Sequence, residues 1–206
     1  MALNPVDYSP PEIPILGRLI VPKAATPCID FAGLLIRPAT DSDLKAGQLV
    51  FGTPSGSPVA AGALSEYAAT EISSMVAMPE GLDPVDASTI PVAGLTAYQS
   101  IMPHVKSGDK AFINGGLGGT GCFGIQIAKA IGCYVTTSRS TVNVEFCKNL
   151  RADWWVKEEK VKAVIDTKFK FEEAREAFER LKTGRSRGKV VVDVAGENYK
   201  GKTSFI

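Results

Sequence analysis

An α/β plus β chain, in which a mostly β module is joined to an α/β unit, is the fold class the sequence predicts. Three observations predict it. Residues 1–98 are rich in Pro and Gly with short apolar runs, residues from 99 onward alternate strand and helix signals, and a glycine cluster marks one strand-to-helix junction.

In the first stretch the apolar runs fall at 34–36, 49–51 and 74–78, lengths suited to short strands joined by turns. The middle stretch is the clearest. Val105-Lys106-Ser107-Gly108-Asp109 reads as a turn into the apolar run 111–113. A helix follows, beginning near Gly121 and clearest over 123–131, with Phe123, Ile127, Ala130 and Ile131 on one face, and Gly132 sits where it should stop. The β-formers at 133–137 come next, so the unit is β–α–β, which demands parallel strands and a crossover. A second helix is expected from 143 to about 150, and a third strand near 154–156. Beyond it the sequence predicts a strand at 161–165 and an amphipathic helix over 171–181 with Ala174, Ala177, Phe178 and Leu181 inward. Gly184 then acts as a C-cap, a strand follows at 189–194, and the tail at 197–206 is polar and frayed.

Composition removes several function classes. The 206 residues are 45% hydrophobic and 22% charged, with a formal net charge of +1, an ordinary globular balance that gives no reason to expect nucleic acid or an anionic membrane as partner. No run approaches the roughly 18 to 20 apolar residues that span a bilayer, and the first residues lack a secretory pattern, so a cytoplasmic protein is expected. The four cysteines (Cys28, Cys122, Cys133 and Cys147) have no CxxC spacing and His104 is the single histidine. That inventory predicts no metal site, and thiols that are buried or free.

The cluster Gly115-Gly116-Leu117-Gly118-Gly119-Thr120-Gly121 contains GxGxxG at Gly116, Gly118 and Gly121. A pyrophosphate must approach backbone N–H groups closely, and a Cβ at the contact point would hold it off. The following helix adds free N–H groups and the positive end of its dipole. Gly115, Gly118, Gly119, Thr120 and Gly121 are therefore candidate cofactor-binding residues. About 20 residues further on, an NAD site carries Asp or Glu for the ribose 2′-hydroxyl. Here the chain reads Ser138-Arg139-Ser140-Thr141, with Asn143 beyond. A cation and hydroxyl donors in place of a carboxylate favour a 2′-phosphate, so NADPH is expected, held by Ser138, Arg139, Thr141 and Asn143. The alternative is a solvated turn at Arg139.

The residues from Ile90 to Asp153 resemble the zeta-crystallin-like quinone oxidoreductases and enone reductases, the zinc-independent branch of the medium-chain dehydrogenase/reductase family. The resemblance is carried by IPVAGLTAYQS (90–100), VKSGDKAFINGGLGGTG (105–121), IQIAKAIG (125–132), SRSTVN (138–143) and LRAD (150–153). Upstream, ALNPVDY (2–8), IDFAG (29–33), LKAGQLVFG (44–52) and GALSEYAA (62–69) look like that family's GroES-like catalytic domain, and 164–194 resembles the return of the chain to it. The resemblance implies a GroES-like mostly β catalytic domain at 1–98, a partial Rossmann-type NADP-binding domain at 99–160 and a return segment at 161–206. It also implies metal-free hydride transfer from NADPH to a quinone or enone, with homodimers common. Asn4 and Tyr8 would line the substrate end of the cleft and Thr96 would sit near the nicotinamide, as catalytic candidates. For Asn4 and Tyr8 the competing reading is turn and packing chemistry.

Two departures from the family pattern stand out. The chain opens on NPVD, which implies that the catalytic domain's first strands are missing. A complete dinucleotide domain uses two mononucleotide halves, whereas two clear strands and a third near 154–156 precede the C-terminal segment, so an internal deletion of about a hundred residues is expected. Cofactor binding should then be weak and turnover slow. A non-catalytic NADPH-binding or subunit-interaction protein of the same descent is the alternative.

Overall fold

The computed structural model describes residues 1–9, 26–54, 62–137, 150 and 164–194. A three-stranded antiparallel sheet is formed by β2 (Phe31–Leu34), β3 (Leu49–Gly52) and β4 (Met75–Ala77), in that order. Leu35, Val50 and Met75 form its small core. The first strand lies three residues earlier than the apolar run at 34–36 suggests. Pairing fixes it: Phe31 faces Gly52 and Leu34 faces Leu49, after which Leu35 is buried and Ile36 is solvent-facing.

The chain then turns helical. Asp83 caps α1 (Pro84–Ala87) by accepting from the Val85 N–H at 2.8 Å, and α2 (Pro91–Ile101) starts with proline at its first position. The short apolar runs of 1–98 hide this helix, which runs through residue 98. Ala93, Ala97 and Ile101, spaced four apart, are its buried stripe. Ala93 and Ala97 pack against Phe123.

The β–α–β unit forms as its pattern predicts. β5 (Lys110–Ile113) and β6 (Tyr134–Thr137) pair in parallel, joined by α3 (Gly119–Ile131). The helix begins two residues before Gly121, at the second glycine of the Gly118-Gly119 pair. Gly132 stops it in the left-handed region at φ 100, a conformation that glycine adopts at no steric cost. One face of the strand pair packs on α3 through Ala111, Ile113, Val135, Ala128 and Cys133. On the other face Phe112 and Tyr134 are 66% and 67% exposed.

A second sheet has the order β1 (Ala2–Leu3), β8 (Lys189–Asp193), β7 (Ile165–Lys170), with β1 antiparallel and β7 parallel to the central strand. Strand β7 thus starts where the strand expected at 161–165 was to end, and residues 161–163 lie outside the described residues. Asp166, Thr167, Lys168 and Lys170 give the strand no apolar run; its pairing with β8 and the packing of Phe169 define it. A 3-10 turn (Phe171–Glu173) leads into α4 (Ala174–Lys182), whose Ala177 and Leu181 are buried against Leu3, Val190 and Val192. Gly184 follows with φ +63, donating to Leu181 O at 3.1 Å. The helix expected from 143, the strand near 154–156 and the tail at 197–206 fall outside the described residues, apart from Leu150. Among the described residues no helix is long and apolar enough to cross a membrane.

Candidate active site

Strand β5, the β1–β8 strand pair, α2 and the glycine loop line a cleft of about 780 Å³. One side is the turn after β5. Gly115, at φ +71, reverses the chain, and Gly118 donates to Gly115 O at 3.0 Å and serves as the N-cap of α3. The three motif glycines have separate jobs. A Cβ on Gly116 would meet Thr137 Oγ1 at 2.1 Å, so this glycine lets the loop close on β6. A Cβ on Gly121 would meet Gly115 O at 2.2 Å, so this one seats the helix on the turn. At Gly118 the nearest neighbour would be Gly115 O at 3.5 Å, and the residue is exposed and lines the cleft. Folding does not need glycine at Gly118; a ligand approaching the backbone would. The N–H groups of Gly119, Thr120 and Gly121 have no acceptor among the described residues, as expected at the first turn of a helix. The residues present therefore fit a dinucleotide pyrophosphate.

The other side is a buried polar cluster. Asn4, directly after β1, donates from Nδ2 to Asp30 Oδ2 at 2.8 Å, and its Oδ1 accepts from Lys189 Nζ. Lys189 Nζ also reaches Asp30 Oδ2 at 3.0 Å, while Asp30 Oδ1 accepts from the Val92 N–H at 2.8 Å, tying the cluster to the start of α2. Asp7 accepts from the Asn4 N–H at 2.6 Å and from the Ile29 N–H at 3.1 Å. Burial pushes the Asp7 carboxyl up to about 7 against the lowering effect of those two N–H groups, with the neighbouring Asp30 carboxylate adding to the rise. Cys28, Cys122 and Cys133 are buried thiols, and burial pushes the Cys28 thiol up. Cys147 lies outside the described residues.

Of the candidate residues, Asn4, Tyr8, Gly115, Gly118, Gly119, Thr120 and Gly121 all line this one cleft. Tyr8 is half-buried and packs on the Leu3–Val190 core, with Lys182 Nζ 5.8 Å from its ring centre. Thr96 is solvent-exposed on α2 and is not part of the lining, although Ala93, Ala97 and Ser100 of the same helix are. Ser138, Arg139, Thr141 and Asn143 lie outside the described residues. Asp30 and Lys189 were not singled out from the sequence. The available signal was a charged residue opening or interrupting an apolar run, as in Ile29-Asp30-Phe31 and Lys189-Val190-Val191.

Fold and cleft together define a GroES-like β module joined to a partial Rossmann-type unit. A family model described as zinc-binding dehydrogenase matches residues 139–192. The trans-enoyl reductase pgmF of Aspergillus terreus is 47% identical over 174 residues, covering 81% of this chain and 49% of that protein. Escherichia coli K-12 YhdH, solved with bound NADPH, is 31% identical, superposes with a TM-score of 0.59 and covers 74% of this chain and 48% of its own. The quinone oxidoreductase of Coxiella burnetii shares the fold, with a TM-score of 0.81 at 23% identity over 94% of this chain and 87% of that one. The chain belongs to the zinc-binding-dehydrogenase-like, medium-chain dehydrogenase/reductase family, with enoyl reductases and quinone oxidoreductases among its relatives. It spans about half the length of the curated relatives it matches.

Proposed function

We propose that the chain is an NADPH-dependent oxidoreductase of the enone or quinone reductase type, working without metal. One observation carries this reading: the cleft that holds the glycine loop at the start of α3 also holds Asn4 and Tyr8. A reduced nicotinamide dinucleotide bound there would supply a hydride. The chain's own residues would hold its pyrophosphate on the N–H groups of Gly119, Thr120 and Gly121, and would offer neutral donors from Asn4 and Tyr8 to the substrate oxygen. Arg139, with Ser138, Thr141 and Asn143, would select the 2′-phosphate. YhdH bound to NADPH and the alkenal/one oxidoreductase of Arabidopsis thaliana, named as NADPH-dependent, support the choice of cofactor. Thr96 keeps its proposed place near the nicotinamide only if α2 turns it toward the cleft on binding. Fluorescence titration with NADPH and NADH, followed by NADPH consumption with an enone and a quinone, tests the reading. NADPH bound more tightly than NADH and oxidised by either acceptor is the expected result. Failure to bind either dinucleotide overturns it.

The exposed Phe112 and Tyr134 face of the β5–β6 pair favours a second reading, a cofactor-binding protein that uses this face against a second copy of the chain. A stable dimer that consumes no NADPH would support that reading over the first.

A further inference from the structure

We propose that Lys189 joins Asn4 as a donor to the substrate oxygen on which charge develops, and that Asp30 positions both. The proposal rests on the reductase reading for its substrate class, an enone or quinone, and adds a residue that the family resemblance did not supply.

Donor counting leads to it. An ammonium carries three N–H groups. Lys189 spends one on Asn4 Oδ1 and one on Asp30 Oδ2, and the third has no acceptor among the described residues. The Asn4 amide spends one N–H on Asp30 Oδ2 and leaves the other without an acceptor among the described residues. Asn4 is 4% exposed and Lys189 3%, so bulk water does not readily satisfy these groups, yet both residues line the cleft. Asp30 is fully buried, lies outside the cleft lining and has both carboxylate oxygens engaged. The corner therefore offers the cleft two spare N–H donors, against one remaining lone pair on Asn4 Oδ1. A ligand atom that satisfies both must be an oxygen rich in lone pairs.

The charge balance suits a reaction better than tight ground-state binding. Asp30 neutralises Lys189, so a neutral carbonyl meets hydrogen-bond donors rather than a bare cation. When hydride adds to the β-carbon of an enone, the C=C pair shifts to form a bond between the α-carbon and the carbonyl carbon. The carbonyl π pair then moves onto oxygen. That oxygen becomes an enolate oxyanion, both donors strengthen, and a proton from solvent later completes the α-carbon. Fixed donors at the atom that gains charge lower the barrier without reorganising. A buried Lys–Asp pair serving structure alone gains nothing from facing the cleft, and such pairs are often no better than apolar residues of equal size.

The test uses 4-nitrophenolate as an oxyanion probe and 4-nitroanisole as its uncharged counterpart, titrated at one pH against the whole chain without cofactor. The phenolate should bind at least about tenfold more tightly, a difference of about 1.4 kcal/mol. The double variant Lys189→Met/Asp30→Asn, which removes the charge pair at nearly constant volume, should lose the preference while keeping a cooperative thermal transition. Asn4→Ala should lose part of it. Equal binding of both probes by the unmodified chain overturns the proposal whatever the variants do, as does a folded double variant that still prefers the phenolate. An enone assay on the same preparation keeps the two readings apart. Preference without turnover sinks the reductase reading and leaves the oxyanion site standing, and turnover without preference does the reverse.

Discussion

Lys189 lies directly against Gly119: a Cβ on the glycine would meet Lys189 Cδ at 3.0 Å, and the adjacent Gly188 N–H bonds Leu117 O at 3.1 Å. The start of β8 and the start of α3 thus meet in the cleft, although β8 belongs to the β1–β8–β7 sheet and α3 packs on the β5–β6 pair. Gly119→Ala should shift the lysine stem by a few tenths of an ångström. The stem is flexible, and alanine gains up to about 1 kcal/mol of helix propensity, so the unfolding midpoint should hold within about 2 °C. The loss should fall on turnover of enone, because the Lys189 ammonium moves with its stem. Calorimetry beside a steady-state assay separates the two effects.

Gly118 and Gly121 should respond oppositely. Alanine at Gly121 collides with Gly115 O at 2.2 Å, so overpacking should cost about 1–3 kcal/mol and lower the unfolding midpoint. Alanine at Gly118 has 3.5 Å of room and an ordinary φ of −71, so stability should be unchanged while NADPH affinity falls about tenfold or more. Fluorescence titration of Gly118→Ala decides whether the loop holds a ligand. Undiminished affinity would remove the pyrophosphate from it.

Asp7 should give the fold an unusual pH response. Its folded pKa is raised from the ordinary carboxylate value to about 7, so between about pH 4 and 7 the unfolded chain is ionised there while the folded chain keeps the proton. The native state binds more protons in that window, and stability therefore falls as pH rises through it, by a few kcal/mol at most, then levels off above 7. Asp7→Asn removes the titration. Urea melts of both chains at intervals across the window should show a slope in the parent that is flattened in the variant.

The β5–α3–β6 unit was legible because three local signals agree there: the apolar face of the helix, Gly132 at its end, and β-formers immediately after. Strand β7 was misplaced because Asp166, Thr167, Lys168 and Lys170 alternate with few apolar residues, and its existence depends on a partner far along the chain. The same physics hid half of the site. Asp30 and Lys189 stand 159 residues apart, and no window of sequence brings them together. Asn4 was visible through its motif, but its orientation is set by that remote pair. Thr96 was placed by resemblance alone, and an exposed position on α2 follows from the Ala93–Ala97–Ile101 stripe, which turns it outward.

Asp166 ties the segment before β8 to the rest of the fold. Its carboxylate accepts from Arg180 Nε and Nη2, both at 2.8 Å, from the Arg187 N–H at 2.7 Å and from the Thr167 hydroxyl at 2.8 Å. Partial burial opposes ionisation, but the Arg180 fork and the Arg187 and Thr167 donors outweigh it and hold the carboxyl below its usual range. A depressed acid contributes stability above its unfolded pKa and loses it as pH falls through the folded value. Asp166→Ala strips the donors of their acceptor and should cost about 1–3 kcal/mol near neutral pH, with the gap to the parent closing in acid. Gly184, Ser186 and Gly188 of the same segment line the cleft, so the variant should also weaken NADPH binding even where it remains folded. Arg180→Lys keeps the charge but not the two-pronged geometry, and should recover only part of either quantity. Full recovery by lysine, in melts and in titrations alike, would mean that charge alone matters here and that the fork does not hold the segment in place.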